Sequence, residues 1–252
     1  MAKNKSIRIF MRTKDERTAM LIGEDAVEKL RGAKVAVFGI GGVGGYATEA
    51  LARAGVGELH LCDADTVSET NINRQIIATY DTVGMLKTDA FEERIRAIDK
   101  DCKVVKYPIF YTDDEAHRFD FASFDYIIDA IDTVSAKISL AVRAEEAGVP
   151  IIAAMGAGNK LDPTAFEVTD IYKTSVCPLA RVMRTELKKR GVKRLKVVYS
   201  REPARTPIEI SSKTPTPCDE NSKKRSPASI SFVPSAAGLI IASEVIKDII
   251  NK

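Results

Sequence analysis

The chain has 252 residues, of which 45% are hydrophobic and 29% are charged, and its net charge is +3. These values are typical of a soluble globular protein with one large domain, or one domain with an extension. No apolar run approaches the ~18 residues of a membrane-spanning helix, and residues 1–12 lack the apolar core of a secretory signal. We therefore expect a cytoplasmic protein without stable membrane insertion. Its scattered cysteines, which form no Cys-x-x-Cys pair and predict reduced thiols, are Cys62, Cys102, Cys177 and Cys218.

Helical and strand patterns alternate along the first part of the chain. Short apolar runs bounded by glycine or aspartate indicate buried strands, and apolar residues at helical spacing separate them. This alternation predicts an α/β fold with a doubly wound, mostly parallel sheet. In chain order the predicted elements are a helix over 13–31, a strand over 35–38, a helix over 46–54, a strand over 59–62, a helix over 85–98, strands over 104–110 and 126–128, a helix over 136–147 and a strand over 151–154.

The pattern changes after residue 160 into a predicted α+β extension. Residues 202–227 hold five prolines and many Ser, Thr and Lys, which predicts a mobile loop. A closing apolar helix carries a proline in its first turn, where proline is tolerated. The predicted elements are strands over 165–171 and 195–199, a basic helix over 179–190, a short strand over 230–233 and the closing helix over 234–250.

A glycine-rich turn follows the first predicted strand and opens the next helix. Its sequence, Gly39 to Gly44, fits G-x-G-x-x-G, in which glycines allow a tight turn, a close phosphate and close helix packing. The helix N-terminus offers free N–H groups to an anion. Asp63, which ends the second strand, is placed to accept from ribose hydroxyls. The motif predicts a Rossmann-like nucleotide site and leaves dinucleotide and ATP open, with a purely structural turn as the alternative.

Three charged residues downstream favour ATP over a nicotinamide cofactor. Arg74 and Lys87 can clamp phosphate oxygens and neutralise the charge on departing pyrophosphate. Asp132, after the fourth strand, can hold Mg²⁺, which prefers carboxylate and phosphate oxygens. Taken singly, each cation is an ordinary surface charge and Asp132 an ordinary helix N-cap. Together, in this order, they predict an ATP and Mg²⁺ site.

These motifs together resemble the signature of the ThiF/MoeB/HesA family, the bacterial relatives of ubiquitin-activating enzymes, over about residues 13–160. The resemblance implies a homodimer that adenylates a carboxylate with ATP and Mg²⁺. It implies an ATP-binding adenylation domain over residues 1–160 and an extension over 161–252 packed on the same domain. Arg17, otherwise a helix-surface charge, matches the arginine that reaches the partner subunit's phosphates. The implied nucleotide-binding residues are Gly39, Gly41, Gly42, Gly44, Asp63, Asp65, Asn71, Asn73, Arg74, Gln75 and Lys87. The implied catalytic residues are Arg17, Arg74, Lys87 and Asp132, with Asp132 as the metal ligand.

Two substrates compete within this family. One is the C-terminal glycine of a ubiquitin-like sulfur carrier, whose activating enzymes usually carry two Cys-x-x-Cys pairs that this chain lacks. The other is tRNA threonylcarbamoyladenosine, because residues 126–132, 156–164 and 168–174 are similar to the branch that dehydrates it. That branch adenylates the threonylcarbamoyl carboxylate, and the adjacent amide system closes a ring within one molecule. A sulfur-relay protein is a further expected partner. Some members carry a cysteine in the late loop; Cys218 lies before the matching stretch, which speaks against a thiol role.

The distribution of charge agrees with a tRNA substrate. Residues 181–205 contain ten Lys or Arg against Glu186 and Glu202, and such clustering is typical of phosphate binding. The alternative is a solvated helix face. Tyr199 is the only aromatic residue in this stretch, so the sequence does not predict base stacking. We therefore expect a tRNA-modifying enzyme first and a sulfur-carrier-activating enzyme second. A nicotinamide oxidoreductase or a non-catalytic nucleotide-binding scaffold comes last.

Overall fold

The computed structural model describes residues 12–208 and 227–252. They form a seven-stranded sheet in the order β3-β2-β1-β4-β5-β7-β6, parallel except for the edge strand β6. The strands are β1 Lys34–Phe38, β2 Glu58–Cys62, β3 Lys103–Tyr107, β4 Tyr126–Asp129, β5 Ile151–Ala154, β6 Phe166–Asp170 and β7 Lys196–Ser200. The helices are α1 Glu16–Ile22, α2 Glu24–Gly32, α3 Gly44–Ala54, α4 Lys87–Ile98, α5 Val134–Ala147, α6 Pro178–Lys189 and α7 Phe232–Ile250. The predicted Rossmann-like α/β fold is confirmed.

Strand β1 lies at the point where the strand order reverses. Its Val37 is in register with Leu61 of β2 on one side and with Ile128 of β4 on the other. The chain builds outward from β1 in both directions, so the loops after β1 and β4 diverge at their carboxyl ends. This topology opens a crevice there, where doubly wound proteins bind ligands.

Helices cover both faces of the sheet. Alternate residues of β1 enter different cores: Val35 and Val37 pack with α3, α4 and α7, whereas Ala36 and Phe38 pack with α5 and aromatic residues after β3. This double burial explains why the central strands β1, β4 and β5 are mainly apolar, whereas the edge strands β3 and β6 are only partly buried. Helix α7 approaches α3 so closely that a Cβ on Gly238 would lie 2.3 Å from the Val43 carbonyl oxygen. The last helix therefore supports the glycine loop directly.

Three predicted elements need correction. The helix predicted over 13–31 is a 3₁₀ turn and two helices that meet at Gly23, whose φ of 91° ends α1. Strand β3 stops at Tyr107, since Pro108 has no N–H to donate. The strand predicted over 230–233 is wrong, because α7 already begins at Phe232. Four apolar residues do not distinguish a strand from the first turn of a helix.

The part of the chain after residue 160 completes the same sheet. Its strands β6 and β7 extend the sheet beyond β5, and α7 packs on α3. The predicted boundary at residue 160 lies in the loop between β5 and β6, and it stays a prediction. Residues 209–226, most of the loop predicted over 202–227, lie outside the described residues. Within the described ranges no helix is both long and apolar enough to cross a membrane.

Candidate nucleotide-binding site

A cleft of ≈ 410 Å³ opens at the carboxyl ends of β1, β2 and β4. It brings together most of the site residues predicted from the sequence, because parallel strands deliver their following loops to one edge. Gly44 and Asn73 are adjacent to this lining rather than part of it, and Arg17 lies apart on α1. The predicted residues that line the cleft are Gly39, Gly41, Gly42, Asp63, Asp65, Asn71, Arg74, Gln75, Lys87 and Asp132.

Two glycines of the loop are required by the backbone. Gly39 has a φ of 81°, and a Cβ there would lie 2.7 Å from the Ala130 carbonyl oxygen. A Cβ on Gly44 would lie 1.8 Å from the Gly39 carbonyl oxygen. Asp63 adds a further restraint, since its carboxylate accepts a hydrogen bond from the Ile40 N–H at 2.9 Å. The loop is therefore held in shape before any anion reaches the N-terminus of α3.

Lys87 is the buried cation of the cleft. It is the first residue of α4 and only 5% exposed. Its Nζ lies 2.6 Å from an Asp65 carboxylate oxygen and 3.7 Å from one of Asp63. The charge of Lys87 is thus balanced by two carboxylates within the protein.

Arg74 is the cation with neutral partners. Its Nη1 donates to the Thr70 carbonyl oxygen at 2.9 Å and to Asn73 Oδ1 at 2.8 Å. Partial burial lowers the pKa of Arg74 from its usual value, although a guanidinium stays protonated in proteins. Across residues 12–208 and 227–252 no carboxylate pairs with Arg74. Its positive charge is therefore available to an anion in the cleft.

Two carboxamides stand beside Arg74 in the sequence and differ in how they are satisfied. Gln75 is 7% exposed, and its buried Oε1 has no hydrogen-bond partner among the described residues. Because Gln75 lines the cleft, this oxygen is free to accept a hydrogen bond from a group bound there. Asn71 Oδ1 instead accepts from the Ser68 N–H at 3.1 Å and caps a 3₁₀ turn. Asn71 therefore has a structural contact in addition to its place in the cleft wall.

Asp132 is exposed at the mouth of the cleft. Its Oδ1 accepts only a long hydrogen bond, 3.4 Å, from the Thr133 hydroxyl among the contacts described. The N-cap position of α5 is Thr133, so the interpretation of Asp132 as the helix cap is wrong. The carboxylate points to solvent at the carboxyl edge of the sheet and is available to a cation.

A buried ion pair that was not predicted from the sequence lies close to Asp132. Lys137 Nζ lies 2.9 Å from an Asp129 carboxylate oxygen, and both side chains are fully buried. Lys137 also donates to the Ile131 carbonyl oxygen at 3.2 Å, one residue before Asp132. Burial raises the pKa of Asp129. The signal was present in the sequence, since Lys137 interrupts the buried face of a helix.

The other missed residues form the apolar wall of the cleft. Ile109, Phe110 and Tyr111 were predicted partly within a strand, but they leave the sheet after β3 and line the cleft. Phe110 is 56% exposed, and its ring offers a flat apolar surface. Cys62, also in the lining, is buried, and this burial together with Asp63 raises the pKa of its thiol to about 12. A thiol with that pKa is protonated near neutral pH and is a poor nucleophile.

The fold and this cleft define an α/β protein of the Rossmann-like class. Comparison with known families is more specific: the ThiF family model matches residues 15–252. The tRNA threonylcarbamoyladenosine dehydratase of Bacillus subtilis is 42% identical over 241 residues, which cover 93% of this chain and 94% of that protein. The chain belongs to the ThiF family, as the resemblance implied.

Solved structures agree with this assignment. The Escherichia coli tRNA N6-threonylcarbamoyladenosine dehydratase in complex with ATP matches with a TM-score of 0.84 and 34% identity, over 95% of each chain. The same enzyme in complex with AMP matches with a TM-score of 0.82 and 34% identity, over 94% of this chain and 93% of that one. Both similarities extend over the C-terminal part as well as the glycine loop.

Proposed function

We propose that this protein is an ATP-dependent tRNA threonylcarbamoyladenosine dehydratase that works through an acyl-adenylate. The observation that carries the proposal is the match, over nearly the whole chain, to a dehydratase solved with ATP and with AMP. The cleft supports it, because it combines a phosphate-binding glycine loop with one compensated and one uncompensated cation. The alternative, activation of a sulfur carrier, is less well supported because the sequence lacks the two Cys-x-x-Cys pairs that such enzymes usually carry.

The proposed reaction has two steps in one site. A carboxylate oxygen of the threonylcarbamoyl group attacks the α-phosphorus of ATP, and the bond to the β-phosphate breaks to release pyrophosphate. The neighbouring amide system then attacks the activated acyl carbon, a ring closes, and AMP leaves with the former carboxylate oxygen. The net change in the nucleoside is the loss of one water. Since the second step is intramolecular, it benefits from a high effective molarity.

The described side chains have distinct roles in this scheme. The N–H groups of the glycine loop would hold phosphate oxygens at the start of α3. Arg74 would contact the β- and γ-phosphates, where negative charge grows as pyrophosphate departs. Lys87 would be the second cation near the phosphates, with its ammonium held in place by Asp63 and Asp65. The unpaired Gln75 Oε1 would accept a hydrogen bond from the nucleotide.

Asp132 would hold Mg²⁺. Within the described ranges no three His, Cys, Asp or Glu side chains form a metal-binding group. Magnesium is commonly bound by one or two carboxylates together with substrate phosphates, so it does not require such a group. The exposed carboxylate of Asp132, at the cleft edge and without a cationic partner among the described residues, is the donor that suits it. The ion would neutralise charge on the triphosphate.

We further propose that the chain forms a homodimer through α1 and acts in the cytoplasm, where its tRNA substrate is found. Helix α1 buries none of its seven residues, and it exposes Met20 (87%) and Leu21 (86%) next to each other. Adjacent large apolar side chains at such exposure indicate a contact surface. Arg17 lies on the same helix, exposed, so packing of α1 on a second copy would bring Arg17 to the partner's cleft.

The tRNA would contact the basic segment, residues 181–205, through only some of its cations. Lys189 and Arg190 pair with Glu186, Arg201 pairs with Glu167 and Arg205 pairs with Glu202. Lys196 pairs with two carboxylates of α7. We propose that tRNA phosphates bind the exposed members of the segment that have no ion pair with a described residue. These are Arg181, Lys188, Lys193 and Arg194.

The test is mass spectrometry of nucleosides from tRNA incubated with the protein, ATP and Mg²⁺. We expect threonylcarbamoyladenosine to be replaced by a product lighter by one water, only when ATP is present. A parallel incubation contains a ubiquitin-like carrier in place of tRNA. An unchanged nucleoside, with adenylation of the carrier instead, would overturn the proposal in favour of the sulfur-carrier alternative. Calorimetry with ATP and with NAD provides a separate check, in which ATP alone should bind.

A further inference from the structure

Asn159 joins three segments of the chain beside the cleft. It follows β5 and adopts a left-handed backbone conformation with a φ of 60°. Its N–H donates to the Ala228 carbonyl oxygen at 2.7 Å, and its Oδ1 accepts from the Ala228 N–H at 2.7 Å. Its carbonyl oxygen accepts from the Arg205 N–H at 2.8 Å. Asn159, in the loop after β5, therefore holds both Ala228 and Arg205 against this loop.

The contact at Ala228 continues to the uncompensated cation of the cleft. The carbonyl oxygen of Ser229, the next residue, accepts from Asn73 Nδ2 at 3.1 Å. Asn73 Oδ1 in turn accepts from Arg74 Nη1 at 2.8 Å. Because both ends of the Asn73 carboxamide are engaged, its orientation depends on the position of Ser229. An unbroken line of contacts thus runs from Asn159 to the Arg74 guanidinium.

The loop that contains Asn159 makes further contacts on both sides of this residue. The Lys160 ammonium donates to the Glu202 carbonyl oxygen. The Glu202 carboxylate accepts from the Leu161 and Asp162 N–H groups, at 3.0 and 2.8 Å. On the other side, a Cβ on Gly158 would lie 2.6 Å from Pro227 Cβ, so the two stretches are in close contact. Movement of residue 228 relative to this loop would therefore break several contacts at once.

We propose that Asn159 is a positioning residue that sets the orientation of Arg74 through Ala228, Ser229 and Asn73. Asparagine suits the position for two reasons: it tolerates the left-handed conformation, and its Oδ1 supplies the acceptor for the Ala228 N–H. The inference rests on the proposed function in one respect, namely that Arg74 contacts the phosphates of ATP beyond the first. It requires nothing about tRNA.

The experiment measures ATP and AMP affinity by calorimetry for three variants at this position. Asn159→Gly permits the backbone conformation but removes the acceptor, and it should weaken ATP binding about fivefold, the effect of one net hydrogen bond. AMP affinity should change less than twofold, because AMP lacks the phosphates that Arg74 would contact. Asn159→Asp keeps an acceptor and should bind ATP within about twofold of wild type. Asn251→Gly, an exposed asparagine after α7, is the matched control and should change neither affinity.

A double-mutant cycle with Asn73→Ala tests the route. If both residues act through the same line of contacts, Asn159→Gly should have little additional effect in the Asn73→Ala background. Additive losses, or equal losses for ATP and AMP, would show that Asn159 supports the fold generally and overturn the proposal. If the proposed function were wrong, the result would be different: the tRNA nucleoside would stay unmodified, while the ATP affinities of the variants would still follow the expected pattern.

Discussion

The cleft and the basic segment both contain positive charge, but their unpaired cations differ in burial. The cleft has two cations, of which Lys87 is held by two carboxylates and Arg74 has neutral partners. Residues 181–205 carry ten cations, and half of them lie beside carboxylates. One uncompensated guanidinium in a half-buried cleft attracts an anion more strongly than several paired cations in water, since screening is weaker there. Half of the cations are paired in each region, so the two regions differ in the burial of the unpaired ones. Arg74 is partly buried, whereas the unpaired cations Arg181, Lys188, Lys193 and Arg194 are exposed.

The strongest test of this comparison removes one arginine from each region. Arg74→Ala should lower the rate of ATP-dependent turnover about 100- to 1000-fold, because it removes an oriented charge from the site where pyrophosphate departs. Arg190→Ala, whose partner is Glu186, should leave that rate within about twofold. Turnover is measured as AMP release from saturating ATP. Similar losses in both variants would show that compensation does not decide which arginine matters.

Asp132→Asn removes the carboxylate that we assign to magnesium. Turnover should fall about 100-fold or more, because charge on the triphosphate is then poorly neutralised. The melting temperature should not change, since Asp132 is exposed and Thr133 occupies the N-cap of α5. A Mg²⁺ titration of turnover is the measurement, with the exposed Asp81→Asn as the matched control. An Asp132→Asn enzyme with wild-type turnover at every Mg²⁺ concentration would refute the metal assignment.

Mixing Arg17→Ala protein with Lys87→Ala protein, each of which we expect to be inactive alone, tests whether the cleft is completed by a second copy. In a hybrid of Arg17→Ala and Lys87→Ala subunits, one site has both residues intact and the other has neither. Random mixing of symmetric dimers should therefore restore about a quarter of the wild-type activity. Native mass spectrometry establishes that hybrids have formed. Hybrids without activity would exclude a contribution of Arg17 across the interface.

The smallest expected effect concerns the basic segment. Replacing the cations without ion pairs, Lys188, Lys193 and Arg194, with alanine should flatten the dependence of log tRNA affinity on log salt by about 0.7–0.9 per lost phosphate contact. Replacing the paired set, Lys189, Arg190 and Arg201, should change that slope less. Filter binding over a salt series compares both triple variants, and calorimetry should show unchanged ATP affinity. Equal slopes for the two sets would mean that pairing does not predict which cations meet the tRNA.

Much of the fold was predictable because its signals are local. Apolar runs followed by glycine or aspartate identified the strands, and parallel topology then placed Gly39, Asp63 and Asp132 at one edge. The errors at Gly23 and at residues 230–233 also have a local cause, since short apolar stretches are compatible with several structures. In these cases the tertiary contacts, such as the packing of α7 on α3, decided the outcome.

The supporting contacts of the site were not predictable in this way. Asn159 contacts Ala228 across 69 positions of sequence, and no spacing rule connects them. The partners of Lys189 and Arg190 lie within one helical turn, yet the charge count alone treated these cations as free. Phe110 was predicted to belong to a strand over 104–110, which in the structure ends at Tyr107. A sequence shows which groups are present, whereas their compensation and orientation depend on folded neighbours.

Helix α1 has a consequence for the dynamics of the protein. None of the seven residues of α1 is fully buried, and Ile22 packs only partly against the core, so tertiary packing contributes little to a helix that is marginal in water at this length. Its amide hydrogens should therefore exchange with solvent through local opening at a small cost in free energy, far below that of global unfolding. Association of two chains through Met20 and Leu21 would slow this exchange. The protection of α1 would then rise with protein concentration, and the helix that carries Arg17 would be fully formed only when a partner is present to use it.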